Sequence, residues 1–135
     1  MHAHAVARRI AGYAHTVDLG DGREIVVDEP ASDGGTDTGP RPTQLLASSL
    51  AGCTAITIEV YADRKGWDLP TLEVAVDMRS DPDRRPTHFA VEVALPEGLD
   101  DDQRRRLMVI AEKCPVHRLL AEGAEITVAE RAHAV

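Results

Sequence analysis

The segment TQLLASSLAGCTAITIEVYADRK, residues 43–65, decides the fold. It contains no proline and its apolar residues recur at helical spacing, so it predicts one long helix. Thr43 is the expected N-cap, Gly66 the expected stop, and Gly52 marks an expected kink or break. Both faces are apolar or small as far as Glu59, and a helix that is apolar nearly all round is typically buried. The predicted inward positions are Leu46, Leu50, Cys53, Ile56 or Thr57, and Val60.

Burying both faces of such a helix in a chain of 135 residues is expected to require a partner subunit as well as the chain's own sheet. Before the helix, GYAHTVDLG (12–20) and REIVVDEP (23–30) predict two strands joined by a Gly-Asp-Gly turn at 20–22. The stretch ASDGGTDTGPRP (31–42) is rich in glycine, proline and small polar residues, which is typical of a loop. A loop of this kind is either functional or a plain surface excursion, and the sequence leaves both open.

Beyond the helix, TLEVAVDM (71–78) and THFAVEVAL (87–95) alternate strictly between apolar and polar residues. This alternation predicts two strands with one wet face, joined by a polar turn, RSDPDRRP (79–86). GLDDDQRRRLMVIAEK (98–113) predicts a second helix with Leu107, Ile110 and Ala111 facing inward. Residues 114–123 predict a short third helix, and EITVAER (125–131) a last strand. The expected class is α+β with an antiparallel sheet, in a single domain over residues 1–135.

The composition is that of an ordinary globular protein, with 43% hydrophobic and 28% charged residues. A net charge of −8 and an aromatic content of 3% argue against nucleic-acid binding, which needs a basic surface and favours stacking rings. No run has the character of a signal peptide, and none approaches the roughly 20 apolar residues of a membrane span. The sequence therefore predicts a cytoplasmic protein with neither nucleic acid nor membrane as a partner.

The chain has two cysteines, and the second lies at a predicted helix start, KCPVHRLLAEG (113–123). Pro115 suits the first helical position, where its missing N–H costs nothing, so Cys114 is the expected N-cap. A thiolate there would meet free N–H groups and the positive end of the helix, with His117 and Arg118 nearby. A buried capping cysteine without chemistry is the alternative, and Cys114 alone does not decide between them.

Cys53 lies 61 residues upstream, deep in the apolar helix. An isolated buried cysteine is normally inert, because burial raises its pKa. To act as a nucleophile it would need an opening and a nearby cation, which Gly52 and the loop ending at Arg41 are candidates to supply. Two cysteines this far apart, without C-x-x-C or H-x-x-x-H, are a poor zinc ligand set, so neither a metal nor a cofactor is expected.

Taken together, these motifs resemble the OsmC/Ohr family, most closely its OsmC-like branch. They are DEP (28–30), GGTDTGPRP (34–42), LLASSLAGCT (45–54) and YADRKGW (61–67), followed at the right distance by CPVHRLL (114–120). The resemblance covers roughly residues 10–130. It implies an OsmC-like fold in which antiparallel sheets pack around long central helices. It also implies an intertwined homodimer with active sites at the subunit interface.

The resemblance also implies a thiol-dependent peroxidase in which Cys53 is the peroxidatic and Cys114 the resolving cysteine. The Cys53 thiolate would attack an organic hydroperoxide to give a sulfenic acid and an alcohol, and Cys114 would condense with it to a disulfide. A dithiol donor, of the lipoyl type in this family, would reset the pair. A disulfide requires the two Cα atoms to lie within about 7 Å, so the two cysteines are expected to be neighbours.

The sequence departs from the peroxidase pattern at Gln44. Peroxidase members place a glutamate there, about nine residues before the peroxidatic cysteine, and it holds an arginine that stabilises the thiolate. An amide can hydrogen-bond but cannot form that ion pair. The arginine has no clear match among Arg9, Arg23 and Arg41. A second function is therefore kept open: a non-catalytic dimeric module on the same fold that binds a small molecule or senses redox state.

Overall fold

Three antiparallel strands, in the order β1–β2–β3, open the chain. They span Val6–Ala11, Ala14–Asp18 and Glu24–Val27 in a computed structural model that describes residues 2–81 and 83–132. The chain divides into two compact units, residues 1–49 and 50–135. The sequence predicted β2 and β3 but missed β1. Only Val6 of the six β1 side chains is even partly buried, so β1 carries no alternation of burial to detect.

The predicted hairpin turn between β2 and β3 is confirmed. Gly20 and Gly22 have φ of 80° and 87°, in the left-handed region that glycine adopts without cost. Leu19 N–H donates across the turn to the Arg23 carbonyl oxygen at 2.9 Å. The turn sets the β2–β3 register, which pairs His15 with Val27 and Val17 with Ile25.

The glycine-rich loop is organised around the carboxylate of Asp28, whose residue is only 1% exposed. The hydroxyls of Thr36 and Thr38 each donate to this carboxylate at 2.7 Å. Backbone N–H groups of Glu29 and Thr38 add donors at 2.7 and 3.1 Å. Because hydrogen bonds to the charged form favour it, the two threonine hydroxyls and these amides hold the pKa of Asp28 well below its usual range.

Two glycines let the loop fold back on the preceding strand. A Cβ at Gly35 would collide with the Glu29 carbonyl oxygen, and one at Gly39 with the Val26 carbonyl oxygen. A short 3-10 helix, Ala31–Asp33, lies inside the loop. The GGTDTG stretch is therefore a built structure, in which glycines allow close approach and threonines satisfy a buried charge.

Asp28→Asn is expected to loosen this loop. The asparagine side chain replaces one carboxylate oxygen with an NH₂ group, which cannot accept the hydrogen bonds that the threonine hydroxyls and backbone N–H groups donate to Asp28. Limited proteolysis should show faster cleavage within residues 31–41. Asp37→Asn is the matched control, since asparagine tolerates the left-handed φ of 54° at that position. Equal cleavage of both variants would contradict the role of Asp28.

The contribution of the ionised Asp28 carboxylate to the free energy of unfolding depends on pH with a definite sign. The folded pKa of Asp28 is lowered from 3.8, so its contribution is complete above the unfolded value and is lost only as pH falls through the lower folded value. Thermal unfolding of the wild type and of Asp28→Asn should therefore differ most above about pH 4 and converge in stronger acid. A difference that does not shrink with acid would assign the effect to packing.

The central helix α1 spans Pro42–Lys65 without interruption. Arg41 occupies the position before it, since its carbonyl oxygen accepts the first intrahelical hydrogen bonds, from Gln44 and Leu45. The predicted N-cap at Thr43 is therefore wrong, because Pro42 already fills the first turn with a favourable φ. The predicted break at Gly52 is also wrong, because the helix continues through it, and a kink there stays a prediction. The predicted stop at Gly66 is confirmed by its φ of 70°.

The buried residues of α1 are Leu50, Thr54, Ile58 and Ala62, four apart along one face. Only Leu50 was among the predicted inward positions, because a helix that is apolar all round has no polar face to reveal its orientation. Ile56 and Val60 are 62% and 44% exposed. By length and composition alone, α1 could cross a membrane, so the expectation that no stretch approaches that length is corrected. A core helix of a soluble protein passes the same test.

The second hairpin pairs β4 (Glu73–Asp81) with β5 (Arg84–Ala94) antiparallel. Its predicted faces are confirmed: Leu72, Val74, Val76, Met78, Phe89, Val91, Val93 and Leu95 are all partly buried. The predicted polar turn at 79–86 is corrected, because most of it continues the two strands, with Asp81 paired to Arg84. Pro82 of that turn lies outside the described residues. Polar residues can extend a hairpin when cross-strand pairing continues.

Helix α2 spans Asp101–Ala111 and begins with a capping box between Asp100 and Gln103. Leu107 is fully buried and Ala111 is 7% exposed, as predicted for the inward stripe. They join Ile58 and Ala62 of α1 in the core of the second unit. This core holds the second half of α1 against α2, the element that leads directly to Cys114.

Helix α3 spans Pro115–Glu122, with Cys114 as N-cap and Gly123 as C-cap, as predicted. The predicted last strand at 125–131 is wrong, since those residues adopt no regular structure. Ile126 and Val128 there are 82% and 94% exposed. A strand needs a neighbouring edge to pair with, and periodicity in sequence does not supply one. The class is nevertheless α+β with antiparallel sheets and a long central helix, as predicted.

Candidate active site formed by two cysteines

Cys53 and Cys114, both within the unit of residues 50–135, lie side by side. The Cys114 side chain lies close enough to the Cys53 thiol to raise the pKa of Cys53. Both are free thiols, Cys114 fully buried and Cys53 partly exposed. The expectation that two cysteines 61 residues apart are neighbours is therefore met, and the partly exposed one is the earlier.

The fold places Cys114 through two local features. Pro115 occupies the first turn of α3, and Cys114 precedes it with extended ψ of 132°. The His117 N–H then donates to the Cys114 sulfur at 3.5 Å, which satisfies one of the orphan donors of the helix start. The sulfur of a buried residue is thus held at one point by the backbone of α3.

Two opposing influences act on Cys53. Burial away from water raises the pKa of Cys53 above its ordinary value of 9.0, and the hydrogen bond to Cys114 raises it further. The Val116 N–H and the Thr57 hydroxyl act in the lowering direction, because both are hydrogen-bond donors near the sulfur. The raising influences prevail, so Cys53 is a thiol at neutral pH in this arrangement.

The Thr57 hydroxyl has one proton and two acceptors within reach. It donates to the Cys53 carbonyl oxygen at 2.7 Å, one helical turn back. Donation to the sulfur therefore requires the hydroxyl to rotate away from that carbonyl. Thr57 was not predicted as a site residue, although its position four residues after Cys53 on one helix face was a usable signal. The Val116 amide was likewise implied by the Cys-Pro helix start.

The structure gives Gln44 a local role. Its side-chain oxygen accepts from the Arg41 N–H at 2.9 Å, so it caps the start of α1 from the third helical position. It lies about two and a half turns before Cys53 on the same helix. The Arg41 guanidinium donates to Asp33 at 2.9 Å and lies 3.7 Å from Glu29. Gln44 as a counterpart of the family glutamate stays a prediction.

The other candidate arginines are engaged near the first sheet. The Arg9 side chain donates to the Gly12 carbonyl oxygen at 3.1 Å. Arg23 lies 3.4 Å from Asp21, and its side chain is 81% exposed. Among residues 2–81 and 83–132, no three His, Cys, Asp or Glu side chains are grouped as ligands for a metal ion.

Thr54, next to Cys53, carries a buried hydroxyl with no hydrogen-bond partner among the described residues. Thr54→Val keeps the shape and removes this polar group, so we expect the free energy of unfolding to rise by about 1 kcal/mol. Chemical denaturation of the two proteins measures this. The matched control Thr57→Val removes a hydroxyl that does donate, and it should lower stability. A loss of stability in Thr54→Val would show that its hydroxyl has a partner in solution.

The fold and site together define an α+β protein with two neighbouring free thiols, one buried and one partly exposed, where a long helix meets a short one. The sequence profile described as OsmC-like protein matches residues 35–129. That span is most of the chain, so the protein belongs to the OsmC-like family. No curated protein matches the chain significantly.

Solved structures with the same fold include three relatives. The first, from Psychrobacter arcticus 273-4, is described as an osmotic stress induced and detoxification response protein; its TM-score is 0.74 at 23% identity, covering 84% of this chain and 85% of that one. The second, from Vibrio cholerae O1 biovar eltor, is described as an organic hydroperoxide resistance protein with captopril in one of its active sites. Its TM-score is 0.66 at 25% identity, covering 87% and 83%. The third is organic hydroperoxide resistance protein OhrB of Bacillus subtilis, with TM-score 0.60 at 25% identity, covering 87% and 89%.

Proposed function

We propose that this protein is a dithiol peroxidase that reduces organic hydroperoxides to alcohols and so protects the cell against oxidative stress. The observation that carries the proposal is that two free thiols, Cys53 and Cys114, lie next to each other although 61 residues separate them in the sequence. Family membership supports it, because two relatives of similar fold are described as organic hydroperoxide resistance proteins. An apolar helix around Cys53 favours an organic hydroperoxide over hydrogen peroxide.

The reaction proceeds in balanced steps. The Cys53 thiolate attacks the distal peroxide oxygen, the O–O bond breaks, and the alkoxide takes a proton to leave as an alcohol. Cys53 is then a sulfenic acid. The Cys114 sulfur attacks the Cys53 sulfur, a disulfide forms and water leaves. A small dithiol, of the lipoyl type, reduces the disulfide by two exchange steps and is itself oxidised.

The chain's own groups serve the first step in distinct ways. Cys53 must lose its proton, and the Val116 N–H and the Thr57 hydroxyl are the donors that stabilise the resulting anion. The Cys114 sulfur accepts a hydrogen bond from the His117 N–H. It lies next to Cys53, whose sulfur it attacks in the second step. A donor or cation from a partner subunit at an interface site would offset the raised pKa of Cys53.

An intertwined homodimer is part of the proposal. Ile56 and Val60 are 62% and 44% exposed on α1, and Ile126 and Val128 are 82% and 94% exposed near the C-terminus. Large apolar side chains exposed to this extent indicate a surface that another chain covers. Sedimentation should give a mass of about twice the 14.6 kDa of one chain. We also propose that the protein acts in the cytoplasm, without nucleic acid or membrane.

Counting thiols tests the function directly. One equivalent of an organic hydroperoxide such as cumene hydroperoxide should remove both free thiols and release one equivalent of alcohol. Hydrogen peroxide should do so more slowly. Loss of only one thiol, or loss at the rate of a free cysteine in solution, would contradict a catalytic pair.

A non-catalytic binding or redox-sensing module is the second candidate. The raised pKa of Cys53 favours it, because a protonated thiol is a poor nucleophile. Gln44 in place of a glutamate favours it for the same reason. In that case the disulfide would form slowly and would not be turned over by lipoyl-type or thioredoxin-type donors, which a side-by-side kinetic assay distinguishes.

A further inference from the structure

The two sulfurs of the candidate site differ in their access to solvent. Cys114 is fully buried, whereas Cys53 is partly exposed. The proposed homodimer does not remove this difference, because a second chain can cover surface but cannot uncover a buried side chain. A hydroperoxide must reach Cys53 in the proposed reaction, so a path to Cys53 stays open in the active assembly. A disulfide between the two cysteines therefore offers an attacking thiol one accessible sulfur, that of Cys53.

Reduction of that disulfide by a thiol has two possible directions. A thiolate that attacks Cys53 expels Cys114, and one that attacks Cys114 expels Cys53. The rate of such an exchange depends on access to the attacked sulfur and on how readily the other sulfur leaves as an anion. Access favours attack on Cys53, because Cys114 is 0% exposed.

The backbone of α3 favours the same direction, because it contacts the sulfur that would leave. Cys114 is the N-cap of α3, and the His117 N–H donates to its sulfur at 3.5 Å. The free N–H groups of a helix start carry partial positive charge, which stabilises an anion there. Burial alone would disfavour a thiolate at Cys114, so this donor is what makes its departure feasible.

Cys53 is the poorer leaving group. Burial away from water raises the pKa of Cys53, and the neighbouring Cys114 raises it further. A thiol of higher pKa leaves a disulfide more slowly. Expulsion of Cys53 from the disulfide is thus disfavoured twice, by the burial of the sulfur that would be attacked and by the chemistry of the sulfur that would leave.

We propose that the reductant attacks the Cys53 sulfur and that Cys114 leaves as a thiolate stabilised by the His117 N–H. This direction of reduction rests on the proposed function, since it concerns the disulfide that the peroxidase forms. The first thiolate of the dithiol bonds to Cys53, the Cys53–Cys114 bond breaks, and Cys114 keeps the electron pair and takes a proton. The second thiolate of the dithiol then attacks the reductant sulfur in the mixed disulfide, expels Cys53, and the reductant leaves as a cyclic disulfide. Ring closure within the dithiol offsets the poorer departure of Cys53, because an intramolecular step has a high effective concentration.

Trapping the mixed disulfide in the unmodified full chain tests this direction. The chain is oxidised with diamide, which is not a peroxide, so the disulfide is obtained whether or not Cys53 reacts with a hydroperoxide. Brief exposure to 2-mercaptoethanol, a monothiol that cannot close a ring, is stopped in acidic denaturant with excess N-ethylmaleimide. Peptide mass spectrometry should then find the mercaptoethanol adduct on Cys53 and the maleimide on Cys114.

His117→Pro tests the role of the amide, because it removes the N–H at a first-turn position where proline is tolerated. Reduction of the diamide-formed disulfide by 2-mercaptoethanol should slow about fivefold, which corresponds to the roughly 1 kcal/mol of one hydrogen bond. Arg118→Gln is the matched control, since it removes a nearby side-chain charge and keeps the amide, and it should be reduced at the wild-type rate. In the Cys114→Ser background, where Cys114 does not leave, His117→Pro should not slow reduction of a mercaptoethanol adduct on Cys53.

The possible results separate this direction of reduction from the peroxidase itself. An adduct on Cys114, or equal adducts on both cysteines, would overturn the proposed direction even if hydroperoxide removes both thiols. Equal slowing in His117→Pro and Arg118→Gln would overturn the role of the amide, whereas trapping in the unmodified chain decides the direction without any variant. Failure of diamide to join the two cysteines would overturn both proposals. An adduct on Cys53 in a chain that hydroperoxide does not oxidise would support the direction and contradict the peroxidase alone.

Discussion

Cys53→Ser is expected to abolish hydroperoxide consumption, with a fall in rate of at least about 10³-fold, as is typical when a nucleophile is removed. A serine hydroxyl does not ionise at neutral pH and has no equivalent of the sulfenic acid. The measurement is consumption of cumene hydroperoxide with a lipoyl-type dithiol as reductant. The variant should retain its fold, because the side chains are similar in size and Cys53 is only partly buried.

Cys114→Ser is the informative companion. It should still consume one equivalent of hydroperoxide, because Cys53 remains, and then stop at the sulfenic acid or more oxidised forms, detectable as mass increases on Cys53. Turnover with the dithiol should be lost or greatly slowed. Peroxide turnover that survives both substitutions would rule out the cysteine mechanism, while the reverse pattern would exchange the roles of the two cysteines.

The reactivity of Cys53 is expected to rise about tenfold for each pH unit between pH 6 and 9. The pKa of Cys53 is raised above 9.0, so less than about 1% of it is thiolate at pH 7, and the thiolate is the nucleophile. Site-resolved mass spectrometry of alkylation by iodoacetamide measures this on the intact protein. A plateau below pH 8 would show instead that a cation from a partner subunit lowers the pKa.

Substitutions around Cys53 should move this profile in opposite directions. Cys114→Ala removes the second cause of the raised pKa, so its profile should shift to lower pH. Thr57→Val removes a donor that stabilises the thiolate, so its profile should shift to higher pH. Equal profiles in both variants would show that burial alone sets the pKa.

Local chemistry predicted part of the fold reliably. Strict alternation identified the faces of β4 and β5, and the Cys-Pro pair identified the start of α3, because each signal depends on near neighbours in the chain. The inward face of α1 could not be predicted, since apolar residues surround that helix. The strand expected at 125–131 needed a partner edge, which no local pattern specifies.

In the candidate site, too, local sequence predicted some features and could not predict those that depend on packing. Sequence features alone left Cys53 and Cys114 open to an inert interpretation, and the resemblance to a family brought them together. The Val116 amide and the Thr57 hydroxyl were missed, although the Cys-Pro helix start and the four-residue spacing from Cys53 were signals for them. Their effect depends on where α3 meets α1, which no local pattern in the sequence specifies.

A single turn of backbone holds both sulfurs. The Val116 N–H reaches Cys53 and the next amide, that of His117, reaches Cys114. The surroundings of both sulfurs therefore depend on two consecutive amides in the first turn of α3. Unwinding of that turn would remove one N–H donor from each sulfur at the same time, so it would change the reactivity of both thiols together.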